Sequence, residues 1–163
     1  MTRVRKGWWR DRRGVAALEF ALVCPLLLLL FGGLVDLGMT VWSESCLANA
    51  VAQGAQFAYR TQQTGTNVTQ MQIRTFVQQV STLSGVDASS TTAPAYYCLN
   101  TTASPPTLDA SASGATCATP TYDGSKAGLY VHIIATYTQS AQFPLFTYMV
   151  NKTVTESTWV RLL

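Results

Sequence analysis

Arg12-Arg13-Gly14-Val15-Ala16-Ala17-Leu18-Glu19-Phe20 opens an apolar run that continues almost unbroken to Val35. Within Val15–Val35, Glu19 is the only charged residue. At ~1.5 Å per residue this run makes a helix ~31 Å long, enough to cross a hydrocarbon core of ~30 Å. A charged side chain in that core costs roughly 2.5–3.5 kcal/mol on insertion scales, so Glu19 needs a partner or a purpose. A cut after Gly14 supplies one. Val15 then carries a free, charged α-amine, and Glu19 lies four residues further along the same helix face. Its carboxylate can pair with its own N-terminus or with that of a neighbouring subunit. Pro25 removes one helical hydrogen bond and can bend the helix, which membrane spans tolerate. Gly32-Gly33 is either a close-packing point or a weak one.

Charge asymmetry sets the expected orientation. Residues 1–14 hold Arg3, Arg5, Lys6, Arg10, Arg12 and Arg13 against Asp11. The formal net charge of +3 therefore combines about +5 on the leader with about −2 on the rest, from 11 basic and 8 acidic residues in all. Positive flanks stay in the cytoplasm, so the chain after Val35 is expected to be exported. A nucleic-acid reading of the basic N-terminus is weak, because the basic cluster abuts a membrane span, and no nucleic-acid partner is expected. An ordinary signal peptide has a shorter apolar region followed by a small-x-small cleavage site. Asp36-Leu37-Gly38-Met39 provides none. An uncleaved anchor explains the length of the run but not Glu19.

Beyond the span the helical pattern continues. Leu37, Val41, Leu47, Ala50, Val51, Ala55 and Ala58 recur at roughly helical spacing among polar residues, and no proline intervenes until Pro94. One helix over 15–59 is expected, half span and half amphipathic stalk, the stalk covered by the chain's own exported domain. Thr61–Thr66 breaks it. Asn67 with Gln70 reads as a capping box opening a second helix, with Ile73, Phe76, Val77, Val80 and Leu83 on one face and Ser84-Gly85 at its end.

Residues 86–127 read as loop, with one short strand at Ala95–Leu99. Gly128–Thr138 alternates as a strand, with Val131, Ile133, Ala135 and Tyr137 facing one way and Tyr130, His132, Ile134 and Thr136 the other. Phe143–Phe146 reads as an apolar turn, and Lys152–Leu162, rich in β-branched residues, as the final strand. The expected fold is α+β, a long N-terminal helix packed against a small exported antiparallel sheet with a second helix. The expected segments are a cytoplasmic leader (1–14), a transmembrane helix (15–35), a helical stalk (36–60) and one exported domain (61–163).

Cys98 and Cys117 bracket a Pro/Ser/Ala-rich loop in what would be an oxidising compartment, and are expected to pair. Cys24 reads as an apolar filler within the span. Cys46 on the stalk reads as a buried thiol or as a link to a second subunit. With one histidine and no Cys-x-x-Cys spacing, no metal site is expected. No catalytic constellation or cofactor motif is present, so no enzyme activity is expected. His132 is expected to pack or hydrogen-bond at the sheet surface. Asp36, Glu44, Asp87, Asp109, Asp123 and Glu156 are scattered and read as solvated, with Asp36 marking the exported end of the span. Tyr96-Tyr97, Tyr122 and Phe143–Phe146 read mainly as packing residues, with an adhesive surface as the alternative.

Basic residues, Gly14, Glu19-Phe20 at the fifth and sixth positions after it, and the apolar run together resemble the processing site of type IV pilin-like proteins. Arg12 to Pro25 resembles more closely the start of TadE-like minor pilins (pseudopilins) of the tight-adherence, or Flp, pilus system. The specific resemblance covers roughly residues 12–60. It implies cleavage by a prepilin peptidase between Gly14 and Val15, with Glu19 and Phe20 serving subunit docking. It implies as partners the major Flp pilin, other pseudopilins and an inner-membrane assembly platform. The competing expectation is a static single-pass protein with an exported binding domain.

Overall fold

The computed structural model describes residues 13–122, 124–140, 142 and 152–163. The leader (1–12) and the Phe143–Phe146 turn lie outside the described residues. Helix α1 runs over Arg13–Gln63 with Pro25 inside it, so the span and stalk patterns join in one helix, slightly longer at both ends than the periodicity predicts. Its first half is exposed almost throughout. Its second half buries one stripe, Ser43, Leu47, Ala50, Val51, Gly54, Ala58 and Gln62, which recur at helical spacing on one face. Gly65, at φ +79°, lets the chain turn out of the helix, and its N–H bonds back to the Gln62 carbonyl.

Helix α2 spans Gln70–Val80. The capping box is real but begins two residues later than the sequence suggests. Thr69 is the N-cap, its hydroxyl accepts from Gln72 N–H, and the Gln72 side chain accepts from Thr69 N–H. Asn67 instead accepts from Gln62, whose amide oxygen also takes the Val68 N–H, so both residues close the connection between the helices. The helix also stops earlier, at Ser81, whose N–H bonds to Val77 O. Leu83 and Val86 are still buried, but from the loop beyond it.

Four antiparallel strands follow: β1 (Ala95–Asn100), β2 (Thr107–Ala110), β3 (Gly128–Gln139) and β4 (Lys152–Arg161), in the order β2-β1-β3-β4. β2 is a strand that the Ser/Thr/Pro-rich composition hides. It forms by pairing with β1, Leu108 against Leu99 and Asp109 against Cys98. The alternation in β3 is as expected, with Val131, Ile133 and Ala135 fully buried against α1 and α2 and Tyr130, His132, Ile134 and Thr136 on the outer face. β4 runs along β3 from Gln139↔Lys152 to Tyr130↔Arg161.

Residues 87–92 lie along β3 on the side where β1 is too short to pair. Asp87 bridges Thr136, and the buried Thr91 hydroxyl both donates to Ile134 O and accepts from Ile134 N–H. Arg74 and Gln70 of α2 hydrogen-bond the carbonyl oxygens of this segment. The main core joins Leu47, Val51, Ile73, Val77, Val131, Ile133, Val154 and Leu162. The architecture is α+β, an N-terminal apolar helix with a second helix and a four-stranded antiparallel sheet.

Candidate functional site

Gly14, Val15, Glu19 and Phe20 lie in the first two turns of α1, and all four are exposed. A Cβ added at Gly14 would meet no atom within 4 Å, so nothing among the described residues requires a glycine there. Val15 and Glu19 are one helical turn apart on the same face. The most apolar 18-residue window of α1 has a mean hydropathy of 2.4 and buries none of its residues against the rest of the chain. By length and composition this helix is a candidate membrane span. Glu19 therefore stands on an apolar rod with no described part of its own chain against it.

Further along, the structure corrects one expectation. Asp36 is not solvated; it is 1% exposed. Its Oδ1 accepts from Gln142 N–H at 3.0 Å, a contact 106 residues distant in sequence. Its Oδ2 has no hydrogen-bond partner among the described residues. The signal was in the helix period. Asp36, Thr40, Ser43 and Leu47 succeed one another at intervals of three and four, so Asp36 continues the buried stripe of the stalk. Ser43 on that stripe is also buried and donates to Gln139 at 2.8 Å. Together these contacts fix the lower end of the sheet on α1. At ~100° per residue Glu19 lies roughly 100° around the helix from this face.

Cys98 and Cys117 are joined by a disulfide, with Cα atoms 5.5 Å apart. With Ala127 they form a second small core, against which Tyr96, Ala115 and Tyr122 pack. The Tyr122 hydroxyl donates to Asp109 at 3.2 Å, and the tyrosine pKa is raised, first by burial and then by that carboxylate. Cys24 and Cys46 are free and half-buried, and Cys46 packs at the edge of the main core.

Aromatic residues gather on the outer face of the sheet. His132 stacks on Trp159, centroids 4.3 Å apart and planes nearly parallel, while Tyr97 meets Trp159 edge-on at 5.1 Å. Arg161 lies over the Tyr130 ring. A shallow cleft of about 500 Å³ opens beside them, lined by Leu99, Pro106, Thr107, Leu108, Tyr130 and Trp159. Burial lowers the His132 pKa below its ordinary value. Among the described residues no group of three or more His, Cys, Asp or Glu side chains is placed to hold a metal ion.

A long helix, apolar and uncovered for its first half and carrying a small disulfide-linked sheet on its second, defines a protein built around one candidate membrane span. Residues 14–56 match the family model described as TadE-like protein, a similarity confined to that segment. The match begins at Gly14 and ends within the buried stripe of the stalk. No curated protein and no solved structure matches the chain significantly.

Proposed function

We propose that this chain is a TadE-like pseudopilin of a tight-adherence (Flp) pilus. In this reading residues 1–14 form a cytoplasmic leader, 15–35 span the inner membrane, 36–60 form the stalk and 61–163 form an exported domain. A prepilin peptidase cuts between Gly14 and Val15. The new α-amine of Val15 then stands one turn from Glu19, and Glu19 with Phe20 docks the subunit against the major Flp pilin or other pseudopilins as the assembly platform extracts it. The chain's role is structural, not enzymatic, and it contributes to surface attachment through the assembled fibre.

One observation carries this reading: the family match begins at Gly14, and five residues on it holds an exposed acid in a helix otherwise fit for lipid. A docking role asks for a carboxylate that its own domain leaves free, and Glu19 meets that condition.

Intact mass and N-terminal sequencing of the protein from membranes, with and without the host's prepilin peptidase, is the test. A mature chain starting at Val15 only when the peptidase is present is expected, and Gly14→Leu should leave the full-length mass. Glu19→Ala should be cut normally yet fail to co-isolate with the fibre. A full-length chain under both conditions would leave a static single-pass protein. A start beyond Val35 would make the helix a signal sequence.

A further inference from the structure

The uncovered apolar surface of α1 does not stop at Val35. Leu37, Met39, Val41 and Trp42 are also exposed, between 40% and 63%. From Phe20 to Ser43 the sequence holds a single charge, Asp36, and the fold hides it. The first exposed polar side chain beyond is Ser45. Counted from Val15, with Glu19 the one exposed charge along it, this mainly apolar surface runs to Trp42, ~42 Å of helix, against ~30 Å of hydrocarbon and ~40–45 Å for the bilayer with its headgroups. A tilt of ~20°, the usual value, shortens it only to ~39 Å. The excess belongs to the interfacial layer. Trp42 stands at the end of this surface, and tryptophan is enriched at that depth.

We propose that Leu37, Met39, Val41 and Trp42 form a collar seated in the headgroup–acyl boundary of the outer leaflet, so that the membrane surface meets the protein at Trp42–Ser45. The sheet then rests on the bilayer by its lower end, where Gln139 and Gln142 contact α1. The collar is continuous with the candidate span, which is why its occupant is lipid. Burial of Asp36 follows from the same placement. An acid exposed on this stretch of helix would face apolar lipid, and the chain covers it with the Gln142 backbone. The inference rests on the membrane-spanning part of the function proposed above and is independent of cleavage.

Single spin labels on a Cys24→Ala/Cys46→Ala background, with the Cys98–Cys117 bond kept, provide the test in full-length protein reconstituted in phosphatidylethanolamine–phosphatidylglycerol vesicles. Labels go at exposed positions 22, 28, 37, 41, 42, 48 and 52, where no packing is lost. Positions 37, 41 and 42 are expected to favour dissolved oxygen over a water-soluble nickel chelate, as 22 and 28 do, with the preference reversing by 48. Nickel accessibility at 37–42 would overturn the collar. Inaccessibility to both reagents would overturn it too, since it would mean that a neighbouring helix fills the site. Nickel accessibility at 22 and 28 would sink the span itself, a different failure. In the unsubstituted chain, hydroxyl-radical oxidation should be lost at Met39 and Trp42 but retained at Tyr59, and oxidation at all three would also overturn the collar.

Discussion

His132 donates its backbone N–H to the Thr92 hydroxyl and presents its ring to Trp159 on the outer face of the sheet. Burial disfavours the imidazolium there, so its folded pKa lies below the ordinary value. The sign of the linkage follows. Below the unfolded value, near 6.5, the unfolded chain takes up the proton more readily than the folded one. Stability is full above that pH and falls as pH drops through it towards the folded pKa. Urea midpoints of the detergent-solubilised chain should therefore decline between about pH 7 and pH 5, and His132→Gln should flatten that decline. The window is clean because the sequence holds one histidine. Asp87, whose carboxyl is lowered first by the Ser89 N–H and then by the Ser89 hydroxyl, loses its contribution only at more acid pH. The position of His132 on the outward face was legible in the period-two alternation of β3. Its stacking on Trp159 was not, because which residue of β4 lies opposite depends on a register set across the sheet.

Among the elements, α1 and α2 approach each other closely at Gly54. A Cβ there would stand 2.5 Å from Val77 Cγ2. Valine in a helix has little freedom to turn away, so the clash forces the helices apart. Overpacking of this kind costs ~1–3 kcal/mol, and the better helix propensity of alanine returns ~1 kcal/mol. Gly54→Ala is expected to destabilise the protein by about 1 kcal/mol net in chemical unfolding. Val77→Ala in the same chain should recover part of that loss, a positive coupling that a purely local helix effect would not show. Both helices were legible from their apolar periodicity, but their exact ends were not. Thr69 and Asn67 are both good caps by composition. The buried Gln62 takes the Asn67 side chain, and only the Thr69 hydroxyl is left facing the first turn of α2.

For the molecule as a whole, two apolar clusters are distinct. The larger lies between α1, α2, β3 and β4, and the smaller surrounds the disulfide. Closing the loop between Cys98 and Cys117 is worth ~3 kcal/mol in the chain-entropy model. Cys98→Ser/Cys117→Ser should lose about that much. Hydrogen exchange should locate the loss, with amides of β1, β2 and the 101–127 loop exchanging faster while those of Ile73, Val77, Val131 and Ile133 keep their protection. Uniform loss of protection would show that the sheet folds as one unit with the disulfide loop.

Features that depend on local pattern were legible from the residues alone. A 3.6-residue period and a nearly charge-free run made α1. Alternation made β3, and the spacing and setting of Cys98 and Cys117 pointed to their bond. Glu19, five residues after Gly14, was also readable as an outlier, because an acid in an apolar run stands out without any tertiary context. The tertiary structure alone decided that β2 exists, since its four residues become a strand only when Leu99 and Asn100 lie beside them. It alone decided the fate of Asp36. A carboxylate at the end of an apolar helix reads as solvated until a backbone N–H from 106 residues away covers it. The physical reason is common to both: a hydrogen bond between distant segments leaves no periodicity in either one.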